Sequence, residues 1–309
     1  VMPCGSSVGI SLWCNGVLVV GLGNVDDGIR RRCPAHEAGI RTGDAIIAVN
    51  GEQVNGVGEL SAMVKSAGDS MRLRVRRNGS EFDCTVYPCV KDGEVLLGAW
   101  VRESTAGIGT LTFYTMSSMR FGALGHAVTD PDAGTMIEAK RGELSEASIV
   151  GVTHGEQGFP GEVRGTFSAV SKRLGAIDRN TRYGVFGEMY APLTSALYPE
   201  GVALAYPDEV ETGKATLLTS LEDGVTTEYE CEIIKLFEQS TSDGKGMVVK
   251  VTDKRLLEHA GGIVQGMSGS PILQNGKLVG AVTHVLVNDP TMGYGVPVSY
   301  THLTLPTIA

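Results

Sequence analysis

From Met71 the chain alternates apolar and charged residues, Met-Arg-Leu-Arg-Val-Arg, and Phe82-Asp-Cys-Thr-Val follows across an Asn78-Gly79 pair. A period of two on both sides of Asn-Gly predicts a β-hairpin with a tight turn. Just upstream, Val57 to Ala67 places Leu60, Met63 and Val64 at helical spacing, one apolar face on an otherwise polar helix. The stretch Cys33-Pro-Ala-His-Glu-Ala-Gly-Ile-Arg-Thr-Gly-Asp44-Ala-Ile-Ile-Ala-Val-Asn-Gly51 predicts a short helix stopped at Gly39, a turn at Gly43-Asp44, a buried strand and a second Asn-Gly turn. These signals predict one module over residues 1–90 and a linker at 91–94.

Beyond the linker the pattern changes. Short apolar stretches recur to about residue 300, separated by Gly, Asp and Pro and without long helices. Strands are predicted at Val95–Val101, Ile149–Val152, Gly165–Val170, Gly184–Gly187, Gly213–Thr219, Glu228–Ile234, Met247–Val251 and Leu278–Val285. Helical signals are confined to Lys254–His259 and a turn near Ser168–Leu174. Many short strands with glycine turns suit paired β-barrels over residues 95–300.

Composition narrows the chemistry. A hydrophobic content of 42% supports real cores, and 42 glycines without a collagen-like period fit many tight turns. The net charge of −9 argues against a nucleic-acid groove, because phosphate binding rests on clustered Lys and Arg. Six cysteines include no C-x-x-C pair, and no H-E-x-x-H, Walker or dinucleotide motif is present, so neither a metal nor a cofactor is expected. Disulfides within the first module are an option for an exported protein.

The densest chemical signal is Gly261-Gly-Ile-Val-Gln-Gly-Met-Ser-Gly-Ser-Pro-Ile-Leu273. A serine hydroxyl attacks a carbonyl when an imidazole takes its proton and backbone N–H groups receive the oxyanion. Ser268, between Gly266 and Gly269, is the candidate nucleophile, with the N–H groups of Gly266 and Ser268 as the candidate oxyanion hole. His126, after the small-residue turn Phe121-Gly-Ala-Leu-Gly, is the candidate base, whereas His284 reads as a strand histidine behind the nucleophile. Asp253, closing the run Met247–Thr252, is the candidate acid. Asp130 and Asp132 are its rivals, but Thr-Asp-Pro-Asp-Ala-Gly explains both as turn residues.

Five segments carry a specific resemblance: Gly107–Phe113, Phe121–His126, Gly158–Glu162, Asn180–Gly187 and Gly261–Asp289. Together they resemble the stage IV sporulation protein B peptidases of endospore-forming bacteria, over nearly the whole chain. The resemblance implies a PDZ domain followed by a chymotrypsin-like double β-barrel, with His126, Asp253 and Ser268 at the catalytic positions. It also implies self-cleavage and cleavage of a membrane-bound regulator between the forespore and mother-cell membranes, which releases processing of a late sigma factor. Family members carry an N-terminal membrane anchor ahead of this point. Cys33–Gly51 is similar to PDZ domains, and Ser7, Val8, Gly9 and Ile10 match their carboxylate-binding loop, with Ile10–Trp13 as the peptide-pairing strand.

Met267 departs from trypsin-like enzymes, which hold an acid before the nucleophile; a thioether cannot pair with a new N-terminus. Two rival readings are a non-catalytic PDZ scaffold and a quality-control protease, in which the PDZ domain usually follows the barrels. Residues 301–309, like the segment from Val298, resemble a translated adapter and are read as a non-native tail.

Overall fold

Alternating apolar residues and glycine-punctuated turns produce strands along most of the chain in a computed structural model that describes residues 1–26, 28–237 and 245–299. The predicted tail at 301–309 lies outside the described residues. The chain divides into two compact units, one of residues 12–105 with 129–141, the other of 1–11, 106–128 and 142 onward.

The first unit is the PDZ module. Ala45–Val49 pairs with Met71–Arg77, which pairs with Ser80–Val86. Met71, Leu73 and Val75 point into the core while Arg72 and Arg74 between them face solvent, as the alternation requires. Asn50 and Asn78 adopt positive φ with Gly51 and Gly79 behind them, the geometry of two-residue hairpin turns. The short helix α1 (Pro34–Glu37) begins on proline and gives way to Gly39 at φ +85°. Helix α2 (Val57–Ser66) buries Leu60 and Val64, and its first free N–H, at Val57, donates to Glu103 at 2.6 Å. Buried Asp44 receives both Arg77 Nε at 2.6 Å and Nη2 at 2.7 Å. A cleft of about 380 Å³ lies between α2 and residues 95–101.

Three expectations need correction here. Residues 91–94 are not a linker between domains: Val95, Leu97, Ala99 and Val101 pack on the PDZ core, and Ala35 N donates to Leu97 O at 2.8 Å. Their alternation covers apolar surface that a linker would leave wet. Residues 1–11 belong to the other unit, where Cys4 N and Gly5 N donate to Thr112 O and Leu111 O. Apart from residues 1–11, the PDZ module precedes the peptidase barrels in the chain, in the expected order. For the same reason Ser7, Val8, Gly9 and Ile10 form no carboxylate-binding loop. They lie within the strand Ser7–Leu22, with Val8 and Ile10 buried and the Gly9 backbone against the Phe167 ring. None of the six cysteines forms a disulfide.

The second unit holds the two expected barrels. In the first ring, Ala99–Tyr114, Arg120–Ala123, Gly184–Met189, Arg173–Thr181, Ala139–Glu146 and Ser7–Leu22 pair in turn, and the last pairs back onto the first. In the second, the order is Lys277–Val285, Pro271–Gln274, Gly213–Glu222, Val225–Leu236, Met247–Val251 and Met292–Pro297, closed by pairing of the last with the first. Closure leaves no free sheet edge. Leu217, Ile233, Met247, Val249, Met267 and Ile272 fill the second barrel. Helix α3 (Lys254–Ala260) delivers the chain from the end of Met247–Val251 to the glycine-rich turn.

Candidate active site

Helix α3 ends at Gly261 in the left-handed conformation, φ +79°, and the chain turns back towards the barrel. Ile263, Val264 and Met267 are buried in the core, so the turn is anchored on both sides of Gly266 and Ser268 is lifted outward. The thioether expected to exclude an N-terminal ion pair is thus a core side chain. Gly266 has φ +95° and Gly269 φ +98°. A Cβ on Gly269 would lie 2.1 Å from Thr110 O and 2.6 Å from Leu124 N, so only glycine fits.

Those contacts bring the first barrel to the serine. Thr110 N donates to Ser268 O at 3.0 Å, and Thr110 Oγ1 donates to Gly266 O at 2.9 Å. Leu124, at φ +72°, and Gly125, at φ +71°, kink the chain after Arg120–Ala123. The Gly125 backbone meets Thr283 and Val282, which places His126 beside the strand Lys277–Val285. Ser268 and His126 therefore share one corner where the barrels meet.

Ser268 is partly exposed, and its Oγ donates to Thr283 O at 2.7 Å. The His126 ring bonds through Nδ1 to Ala127 O at 2.8 Å and lies 4.9 Å from the His284 ring, at an interplanar angle of 35°. Burial holds the His126 imidazole below its ordinary range, while the Ala127 bond opposes that shift. His284 is held down to about 4, first by loss of water around the ring, then by repulsion from His126 and Lys245. Both shifts favour the neutral ring. The N–H groups of Gly266 and Ser268 meet no acceptor among the described residues, as donors awaiting an oxyanion would. Ser270, by contrast, is wholly buried with an unpartnered hydroxyl.

Asp253 is not brought to the imidazole. Its carboxylate caps α3, accepting from Arg255 N at 2.9 Å, Arg255 Nη2 at 2.7 Å and Glu230 N at 3.2 Å. The Arg255 guanidinium holds it down to about 2. Register gives the separation. His284 faces Tyr294, Tyr294 faces Val248 two strands over, and Asp253 lies beyond the end of that strand, on the cap of α3. The rival Asp130 is a turn residue, accepting from Asp132 N and Ala133 N and paired with Arg102.

Two parts of the site escaped the sequence reading. The loop ahead of Glu162–Thr166 backs the nucleophile turn: Gln265 N donates to Gly161 O, Val163 N donates to Gln265 O, and Val163 packs on Gly266. A parallel bridge between positions far apart has no local sequence signal. His284 looked like a strand residue, which it is, but its ring reaches His126.

The fold joins a PDZ module to a double β-barrel. The SpoIVB peptidase S55 family model matches residues 93–301 and a PDZ domain model matches residues 25–77. The chain belongs to the SpoIVB peptidase S55 family. Among solved structures it is similar to the active form of the Rv3671c protease from M. tuberculosis, at 16% identity and TM-score 0.34 over 62% of this chain and 70% of that one. Deg5 is similar at 14% identity and TM-score 0.38, over 63% of this chain and 80% of that one. A Mesorhizobium japonicum protein named as a zinc metalloprotease is 32% identical over 76 residues, 24% of this chain and 21% of that relative. The chain thus matches about a fifth of that relative's length.

Proposed function

We propose that this chain is a serine endopeptidase in which Ser268 is the nucleophile, His126 its general base, and the N–H groups of Gly266 and Ser268 the oxyanion hole. The observation that carries this reading is the shared corner: a serine lifted on a glycine turn, two donors without acceptors among the described residues, and an imidazole beside the same strand. The Ser268 hydroxyl leaves Thr283 O and turns to Nε2 of His126, which takes its proton as Oγ attacks the substrate carbonyl. The tetrahedral oxyanion rests on the two N–H groups. The imidazolium then protonates the leaving amine, and water, deprotonated by the same ring, releases the acyl group.

With the hydroxyl on Thr283 O, the structure corresponds to a resting state that substrate must reset. The family implies the biological role: cleavage of a membrane-bound regulator in sporulation signalling, self-cleavage, and an extracytoplasmic site between the forespore and mother-cell membranes. The PDZ cleft along α2 takes a peptide segment of substrate or regulator. Asp253 serves as a helix cap in this reading, not as the third catalytic group.

The test is labelling by a fluorophosphonate probe with mapping of the modified residue. Label on Ser268, lost in Ser268→Ala and His126→Ala, is expected. Label on Ser270, or none on folded protein, overturns the assignment and favours a non-catalytic scaffold.

A further inference from the structure

Resting on that peptidase reading, we infer that His284 is the positioning residue for His126, packing its ring against that of the base, whose Nδ1 is held by the Ala127 carbonyl and not by a carboxylate. Three observations converge on it. No acidic side chain hydrogen-bonds the His126 ring among the described residues, and the carboxylate expected there caps α3. The tautomer is set instead by the backbone: Nδ1–H donates to Ala127 O, which leaves the lone pair of Nε2 free to accept the serine proton. A hydrogen bond to a neighbouring carbonyl does not by itself hold a ring against rotation about its Cβ. The His284 ring, 4.9 Å away and tilted by 35°, supplies the second wall.

The strand makes the arrangement economical. Thr283 O receives the Ser268 hydroxyl and the next residue, His284, meets the base, so one dipeptide holds both reacting groups in the resting state. Chemistry adds a second effect. When His126 takes the serine proton it becomes a cation, and a neutral aromatic ring beside it is favourable where a second cation would repel. His284 is kept neutral by its surroundings. The groups facing it are His126 from the turn after Arg120–Ala123, Lys245, and Tyr294 across the strand pair, with Lys245 Nζ 4.8 Å from the Tyr294 ring centre. Neither His126 nor Lys245 offers a negative charge that would draw a proton onto it.

The experiment uses the full chain and reads the fluorophosphonate labelling rate together with the pH profile of kcat/KM on a peptide substrate. His284→Ala is expected to slow labelling and kcat by about tenfold, with KM moving less than about twofold. It opens the His126 ring to water, so the acidic limb of the profile moves up towards the ordinary histidine value. His284→Phe, which keeps the aromatic face without a titrating group, restores the rate to within about threefold, and His284→Lys falls below His284→Ala. Should His284→Ala unfold, His284→Leu takes its place, since it fills the volume without a π face. Wild-type rate and an unmoved limb in His284→Ala or His284→Leu overturn the inference, as does a folded His284→Phe no better than the alanine variant. Absence of label on wild-type Ser268 instead sinks the peptidase reading, and this inference with it.

Discussion

The PDZ unit and the barrel unit are both made of short strands and tight turns, yet they draw on contacts of different range. In the PDZ unit the decisive pairings join near neighbours: Ala45–Val49 to Met71–Arg77 to Ser80–Val86, with Asn-Gly turns between or beside them. In the barrel unit the site is assembled from Thr110, Leu124 to His126, Gly161 to Val163, Gly266 to Gly269 and Thr283 to His284. Local signals can specify the first. The second exists only once two closed barrels have brought remote turns together, so its residues carry little mark of their partners.

The contrast can be tested by perturbation, beginning where the effect is largest. Ser268→Ala or His126→Ala should lower turnover by roughly 10⁴- to 10⁶-fold, the range for loss of a serine nucleophile or its base, while thermal unfolding stays within a few degrees of wild type. That outcome separates chemistry from fold in the barrel unit. Gly269→Ala puts a Cβ on the backbone of Thr110 and Leu124 at a positive φ, and should cost about 3–5 kcal/mol of stability, with labelling lost. Differential scanning calorimetry reads it directly, and a near-wild-type melting temperature would refute the close approach of the two barrels.

In the PDZ unit, Arg77→Ala leaves buried Asp44 with only the Arg41 N–H as partner among the described residues. Because the arginine is partly exposed, about 2–3 kcal/mol is expected, at the low end for a broken buried pair. Denaturant titration checks it. Asp253→Ala removes a helix cap and should cost about 1–2 kcal/mol, with activity per folded molecule falling far less than in Ser268→Ala. A loss of several orders in folded Asp253→Ala would restore the carboxylate to catalysis. Since this pKa is depressed, the ionised carboxylate stabilises the fold above its unfolded value, and that contribution disappears as pH falls through about 2.

The smallest effect is a shift. With its pKa lowered by burial, His126 stays a neutral base somewhat below pH 6.5, so kcat/KM should hold there and fall only as pH drops through the lowered value. Stability runs the same way, because the unfolded chain binds more protons than the folded one below the ordinary histidine pKa.

The amino-acid sequence by itself determined the turns, the alternation and the glycine-set serine, because each is written in residues close together: Asn78 with Gly79, Met71 to Arg76, Gly266 with Ser268 and Gly269. It also marked His126 as the candidate base, through the small-residue turn Phe121-Gly-Ala-Leu-Gly before it. Tertiary structure alone decided the rest. Residues 1–11 joined the barrels because their strand pairs with a segment a hundred positions away. Asp253 became a helix cap, since the register of Met247–Val251 carries it past the site, while His284 came to face His126 across a barrel contact. Strand register and barrel closure are global properties, and no short stretch of residues fixes them.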